Sequence, residues 1–141
     1  EGIYFGLAEA MEGQGRPASE RADMLLRFPN RDAMTPDLVY LTARRLAEAQ
    51  RFDEAESLFQ ERFFAREEGG TNPREVWLEV RLGRADQAAA SGECETAGSI
   101  LTDLVEPVDG MSFTEAGLAE WLNRRQDLQE RRAEIEARCA A

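Results

Sequence analysis

Carboxylates, arginines and two cysteines are the side chains of this sequence that could take part in chemistry. The 141 residues include 28 Asp or Glu and 17 Arg, but no Lys and no His. A chain without His has no imidazole to act as a general base or metal ligand, and a chain without Lys has no amine for a Schiff base. An enzyme made from this sequence would therefore need carboxylates with shifted pKa values as its acid and base.

The adjacent carboxylates Glu67 and Glu68 do not meet that requirement. Neighbouring residues of a helix point about 100° apart, so these two side chains could not flank one glycosidic bond as the carboxylates of a glycosidase do. The sequence also lacks the acidic loop pattern that binds calcium. We therefore predict that the chain is not an enzyme and has no catalytic residues, no cofactor and no metal site.

Cys94 and Cys139 are isolated in the sequence and lack the C-x-x-C spacing of zinc or redox sites. This spacing argues against a metal site and against a disulfide framework. We expect both thiols to be reduced and to have no structural role.

The overall charge restricts the class of partner. The formal net charge is −11 and the isoelectric point is near 4.5, whereas phosphate backbones and anionic membranes attract basic surfaces. We therefore expect basic or neutral protein partners and no nucleic acid. We also expect no membrane, because no apolar run approaches the roughly 18 residues that cross a bilayer. The first residues are Glu1-Gly2, so we expect a fragment of a larger cytoplasmic protein, while a signal removed upstream stays open.

The elements that carry these residues are predicted to be helices. Ala, Glu, Arg and Leu occur 21, 20, 17 and 14 times, whereas Val and Ile together occur 8 times, and the first group favours helix over strand. The pairs Thr35-Pro36 and Asn72-Pro73 are typical helix starts. The predicted class is all-α. The seven predicted helices cover about 3–13, 18–28, 36–50, 53–66, 74–91, 94–105 and 113–139.

Short breaks between these helices predict antiparallel hairpins that repeat along a single domain, 1–141. The hairpins would cover about 3–28, 36–66 and 74–105. The turn at 50–56 has a copy at 92–97, and Ala55 with Phe59 has the small-large spacing of Ala97 with Leu101. The pattern resembles tetratricopeptide (TPR) repeats, and the resemblance implies a right-handed superhelix of hairpins ending in a long capping helix at 113–139. An ordinary helical bundle is the alternative.

A second resemblance lies in the segment Arg62-Phe63-Phe64-Ala65-Arg66-Glu67-Glu68-Gly69-Gly70. This segment is similar to the R-x-F-x-x-W-E-G-G signature in the helical C-terminal region of the bacterial DUF5107 family, with Glu67 in place of Trp. In that family a β-sandwich suspected of handling carbohydrate precedes TPR-like helices. The resemblance implies that this chain is the helical appendage of a carbohydrate-handling protein.

Two sets of residues are candidates for partner binding. The first helix of each repeat conventionally lines the concave groove of a TPR superhelix, and the turn near Gly69 could present an exposed patch to a neighbouring domain. The first-helix set is Tyr4, Leu7, Tyr40, Arg44, Glu48, Glu79 and Asp86. The second set is Arg62, Phe64 and Glu68.

Three classes of function follow from these observations. We favour a non-catalytic module that binds a partner protein or an adjacent domain of its own chain. The alternative is a fragment of a carbohydrate-active enzyme that depends on carboxylates. The third class is a structural dimerisation element, because Trp121, Leu128 and Ile135 recur every seven residues and could seal a homodimer through the C-terminal helix. We prefer a capping role for that helix.

Overall fold

The computed structural model describes residues 2–29, 34–60, 72–107 and 113–140. All regular secondary structure in these ranges is helical, which confirms the all-α prediction. The helices are α1 (Gly2–Gly13), α2 (Ala18–Leu26), α3 (Pro36–Glu48), α4 (Phe52–Ser57), α5 (Pro73–Ala90), α6 (Cys94–Thr102), α7 (Glu115–Arg124) and α8 (Gln126–Cys139). None of the helices described here has both the length and the apolar character needed to cross a bilayer.

The start of α5 is fixed by a local capping interaction at the predicted helix start Asn72-Pro73. The Asn72 side chain accepts a hydrogen bond from the Arg74 amide at 3.0 Å, and the Glu75 side chain accepts one from the Asn72 amide at 3.2 Å. These two bonds satisfy amides that otherwise have no partner at a helix start. Pro73 occupies the first turn, where a missing amide hydrogen costs little.

Three helix pairs, α1–α2, α3–α4 and α5–α6, are closed by the same kind of turn. Gly15, Gln50 and Gly92 have φ values of 69°, 61° and 79°. In each turn the following amide donates to the carbonyl five residues earlier; the bonds are Arg16 to Met11 at 3.0 Å, Arg51 to Leu46 at 2.8 Å and Glu93 to Ala88 at 2.8 Å. This bond satisfies a carbonyl at the helix end and reverses the chain.

The longest helix, α5, is at the centre of the packing and contacts α3, α4, α6, α7 and α8. Its Trp77 is 1% exposed and meets Phe59 edge-on, with the ring centroids 5.7 Å apart. The small residues predicted at helix crossings, Ala55 and Ala97, are fully buried. Burial of these residues on both sides of α5 gives the described chain a continuous core.

A buried charge cluster joins α4 to α5. Glu56 is 8% exposed, and its carboxylate accepts a hydrogen bond from Arg81 at 2.9 Å and another from Arg84. Arg84 also pairs with Asp53, at the start of α4. A buried carboxylate is tolerated here because two guanidinium groups supply the hydrogen bonds that it loses from water.

The prediction of one long C-terminal helix at 113–139 was wrong. The chain leaves helical geometry at Arg125, where φ is −108° and ψ is 90°, so α7 ends and α8 begins. This break allows both helices to pack against α5. Leu128 and Ile135, which belong to the predicted dimer stripe, are 1% and 2% exposed. Two of the three stripe residues are therefore covered within this chain, while Trp121 is partly buried.

The helix predicted at 53–66 differs from the structure in its second half. The helix α4 ends at Ser57, and the chain continues as a turn through residues 58–60. The rest of the predicted helix, like the predicted segment from Arg62 to Gly70, lies outside the described residues.

The expectation that both cysteines are reduced was also wrong. Cys94 and Cys139 form a disulfide, and their Cα atoms are 5.4 Å apart. Cys94 begins α6 and Cys139 ends α8, and these two helices are in contact. The bond therefore ties the last helix to the α5–α6 pair. The cysteines are separated by 45 positions in the sequence, so their proximity depends on the fold and no local spacing indicates it.

Candidate partner-binding groove

Helices α3, α5 and α8 enclose a concave surface that we call the groove. It consists of a hollow of about 400 Å³ and an adjoining hollow of about 370 Å³. The two hollows share Ala47, Glu48, Gly83 and Arg131, so they form one continuous depression. The charged side chains that line it are Arg44, Arg45, Glu48, Glu79, Asp86, Arg125, Asp127 and Arg131.

Ion pairs between helices hold most of these charges in place. Glu79 on α5 binds Arg44 on α3, with an Nη2–Oε2 distance of 3.1 Å. Glu48 on α3 binds Arg21 on α2 at 2.9 Å and also pairs with Arg45. These pairs set the relative positions of α2, α3 and α5 along one side of the groove.

Arg125 links the helix break to α5. Its guanidinium binds Glu75 at 2.8 Å, Glu79 at 3.4 Å and Asp127 at 2.7 Å. The hydrogen bond from Arg125 lowers the pKa of Asp127 from its ordinary 3.8 to about 2, because it favours the ionised carboxylate. The same bond, aided by Glu75, raises the pKa of Arg125. Both groups stay charged throughout the physiological pH range.

The floor between the charges is apolar. Val80 and Leu128 are each 1% exposed, and Gly83 lies between the two hollows. A Cβ atom at Gly83 would lie 3.2 Å from Cε1 of Phe52, the first residue of α4. A larger residue at position 83 would therefore require the Phe52 ring to shift by a few tenths of an ångström. The floor therefore has no hydrogen-bonding side chain at these three positions.

Arg131 differs from the other arginines of the groove. It is half-buried and lines both hollows, yet its guanidinium has no ion pair or hydrogen bond with any residue in the described part of the chain. Each lining carboxylate is already paired with at least one arginine: Glu48 with Arg21, Glu79 with Arg44, Asp127 with Arg125, and Asp86 with Arg138. Arg131 is therefore the uncompensated charge of the groove, as far as the described residues show.

The groove brings together four residues that the sequence nominated for partner binding. Arg44 and Glu48 come from α3, and Glu79 and Asp86 come from α5. Asp86 lies in the adjoining hollow and is held by Arg138 at 2.8 Å. The first-helix positions of two neighbouring hairpins thus face one surface.

The other nominated residues that the structure describes do not line the groove. Tyr40 is 3% exposed and belongs to the core, a correction to its expected place on the binding surface. Tyr4 packs edge-on against Phe28, and its hydroxyl donates to the Arg27 carbonyl at 3.3 Å. Leu7 is exposed on α1, and neither α1 residue lines the groove. The nominated residues Arg62, Phe64 and Glu68 lie outside the described residues.

Sequence reasoning missed the contribution of α8 to the groove. Arg125, Asp127 and Arg131 were not among the residues nominated for partner binding. Their positions follow from the helix break, which turns α8 back along α5. No glycine or proline marks that break, so the sequence offers no local signal for it.

Comparison of the chain with protein-family models, with curated proteins and with solved structures finds no match. The TPR and DUF5107 resemblances therefore stay predictions. Within the residues that the structure describes, no group of three or more Cys, Asp or Glu side chains could hold a metal ion.

Proposed function

We propose that this chain is a non-catalytic interaction module whose groove holds an extended segment of a partner protein or of a neighbouring domain. The observation that carries the proposal is the groove itself, which three helices form around an apolar floor with charged walls. Sites that bind extended segments combine apolar contact with a few fixed polar groups.

The charged walls support binding better than catalysis. The groove carboxylates are held by arginines, and the pKa of Asp127 is lowered. A general acid in a carboxylate enzyme needs a raised pKa, so that it still carries a proton near neutral pH. The arrangement therefore argues against the alternative of a carbohydrate-active enzyme.

The repeated turns support a TPR-like stack. The turns at Gly15, Gln50 and Gly92 share one hydrogen-bond pattern, and each joins two consecutive helices. A stack of similar hairpins provides a concave surface along its first helices. We propose a TPR-like module on this basis. The DUF5107 resemblance adds a narrower proposal, in which the module is the appendage of a carbohydrate-handling protein.

The third alternative, dimerisation through the C-terminal helix, has less support. Leu128 and Ile135 would have to face a second copy, but they are buried within the chain. A monomer is the expected result when the mass of the protein in solution is measured by light scattering.

A peptide selection tests the proposed function. Random 12-residue peptides displayed on phage are selected on the immobilised protein, and the enriched peptides are synthesised and measured by fluorescence anisotropy. Ala47 lines both hollows, so Ala47→Trp should fill the groove and abolish binding of these peptides. The matched control is Ala133→Trp on the exposed face of α8, which should leave binding unchanged.

Two results would contradict the proposed function. One is a selection that enriches no peptide above the level of bare support. The other is a set of peptides that bind Ala47→Trp as tightly as the unaltered protein. Circular dichroism of both Trp variants establishes that any loss of binding does not come from unfolding.

The disulfide bears on the compartment in which the module works. Cys94 and Cys139 are bonded, and disulfides persist in oxidising compartments while cytosolic thiols are kept reduced. We therefore propose an oxidising compartment in place of the cytoplasm expected from the sequence. Alkylation of the protein in extracts of its source, followed by mass spectrometry, should find neither cysteine alkylated. Alkylation of both would support the cytoplasm.

A further inference from the structure

We propose that the groove selects a segment with a single internal Asp or Glu side chain that has an apolar residue on one side, and that Arg131 binds this carboxylate. The inference rests on the proposed function and names the chemistry of the ligand. It begins from the one guanidinium of the groove that the described residues leave without a partner.

The charges of the groove determine the sign of the ligand. Arg44 and Arg125 are engaged by Glu79, and Arg45 is engaged by Glu48. A basic ligand would have to compete with these arginines for carboxylates that are already paired. A carboxylate ligand meets no such competition at Arg131, and a guanidinium binds a carboxylate through two parallel hydrogen bonds.

The position of Arg131 favours an internal side chain over a chain terminus. Arg131 lines both hollows, so it lies where one depression continues into the other. A segment that follows the groove therefore extends to both sides of the carboxylate. A C-terminal carboxylate at Arg131 would leave one hollow empty.

The two hollows on either side of Arg131 differ in polarity. The first hollow is the more apolar one and includes Ala47 and Val80, whereas the adjoining hollow is lined mainly by polar side chains, among them Gln50 and Gln87. Apolar surface is covered most favourably by apolar side chains. The preferred ligand thus has an apolar residue on one side of its acid and a polar residue on the other.

The rest of the chain limits the ligand to one acid. The net charge of −11 repels a polyanion at long range. Near the groove, Glu48 and Asp86 stand beside Arg131 in the adjoining hollow and would face a second carboxylate. Adding acids to the ligand should therefore weaken binding and not strengthen it.

Substitutions of Arg131 test the inference on the groove-binding peptides from the selection. Arg131→Gln should weaken peptide binding by about 10- to 100-fold, the loss expected for a charge-assisted hydrogen-bonded pair. Arg131→Lys keeps the charge and should recover part of the affinity, whereas Arg131→Glu should abolish it. Because the Arg131 guanidinium has no partner in the described structure, Arg131→Gln should unfold at the same urea concentration as the unaltered protein.

The matched control is Arg27→Gln. Arg27 is also an arginine without an ion pair among the described residues, but it follows α2 and does not line the groove. Its substitution changes the net charge by the same amount. Peptide affinity should be unchanged, which separates contact at Arg131 from the general effect of charge.

The peptides themselves provide the second half of the test. Replacing the internal acid by Gln or Asn should reduce affinity for the unaltered protein as much as Arg131→Gln does, with no further loss when both changes are combined. Amidation of the peptide C-terminus should have no effect. If amidation abolishes binding while the internal change does not, the carboxylate comes from a terminus and the inference is wrong.

The failure of this inference differs from the failure of the proposed function. Peptides that Ala47→Trp blocks, but that contain no acid or are indifferent to Arg131→Gln, would overturn the inference and leave the groove as a binding site. Peptides that Ala47→Trp does not block would overturn both.

Discussion

The two sides of α5 use arginine and carboxylate in opposite ways. Toward α4 the helix presents Arg81 and Arg84, which enclose the buried carboxylate of Glu56. Toward α3 and α8 it presents the carboxylates Glu75 and Glu79, which bind Arg44 on α3 and Arg125, the residue that precedes α8. The charges of one sign lie on one face of the helix and those of the other sign on the opposite face.

The two sides also differ in how far their central ion pairs are exposed to solvent. On the α4 side the Glu56–Arg81 pair is largely buried, with side-chain exposures of 11% and 14%, and solvent reaches only the outer pair of Arg84 with Asp53. On the groove side the acids of α5 are themselves partly buried, but their outer partners are open, with 40% exposure for Arg44. The α4 side therefore fixes the packing of the core, while the groove side is arranged around open space.

Removing the disulfide should cause the largest loss of stability among these predictions. The loss should be greatest on the groove side of α5. Closing a loop of 45 residues stabilises a fold by about 4 kcal/mol when the entropy of the unfolded chain is counted. The double variant Cys94→Ser/Cys139→Ser should therefore lose about 2–4 kcal/mol in urea unfolding. Hydrogen exchange should rise more in α8 than in α4, because the bond holds α8.

Reduction of the unaltered protein is the control for this prediction. Treatment with a strong reductant should reproduce the loss, and the Ser variant should not respond to it. Equal increases of exchange in α8 and α4 would mean that the bond stabilises the whole fold evenly and does not distinguish the two sides.

Glu56→Gln tests the closed side against the open side. The substitution leaves the partly buried Arg81 without a carboxylate and leaves Arg84 with the exposed Asp53 alone, and the expected cost is about 3 kcal/mol of unfolding free energy. Asp86→Asn, on the groove side of the same helix, breaks an exposed pair and should cost less than about 1 kcal/mol. Equal costs in urea unfolding at pH 7 would remove the proposed contrast between the two sides.

The groove side should also have its own dependence on acid. The pKa of Asp127 is lowered to about 2 from 3.8, so its ionised form stabilises the fold above about pH 4 and this contribution disappears as the pH falls toward 2. Asp127→Asn should remove this part of the acid dependence. The control is Glu134→Gln, because Glu134 is an exposed residue of α8 without an ion pair among the described residues. This variant should retain the acid dependence that Asp127 contributes.

Carboxyl NMR measures the same quantity directly. The Asp127 signal of the folded protein should titrate near pH 2. A midpoint close to the ordinary value would mean that Arg125 does not hold this carboxylate.

The smallest expected effect concerns the turn at one end of the groove. Gln50 has a φ of 61°, a conformation that favours glycine, while its counterpart Gly92 already is glycine. Gln50→Gly should raise the free energy of unfolding by about 0.5–1 kcal/mol, although it removes the exposed hydrogen bond from Gln87. Gly92→Gln should lower it by about 1 kcal/mol. Thermal unfolding that ranks the two variants in the opposite order would show that the turns differ in geometry.

The sequence could predict the helices and half of the groove. Helix-forming composition and the pairs Thr35-Pro36 and Asn72-Pro73 predict helix starts that the structure places at Pro36 and Pro73. Arg44 and Glu79 could be nominated because positions on the first helices of neighbouring hairpins share a face. These features depend on residues close together in the chain, where periodicity and capping carry information.

The other half of the groove could not be predicted, because it depends on contacts between distant residues. The break at Arg125 is stabilised by Glu75 and Glu79, 50 and 46 positions earlier. The disulfide likewise joins cysteines 45 positions apart. A single sequence reveals neither contact. The path of α8 and the position of Arg131 therefore could not be predicted.

Gly83 limits how such a groove can evolve. Any side chain at this position would press against the Phe52 ring, so raising the floor to suit a different ligand requires the packing between α4 and α5 to adjust. Changes of ligand preference are therefore confined to the rim, at positions such as Arg44, Ala47 and Arg131. Related chains with other partners should keep glycine at the floor and vary at the rim.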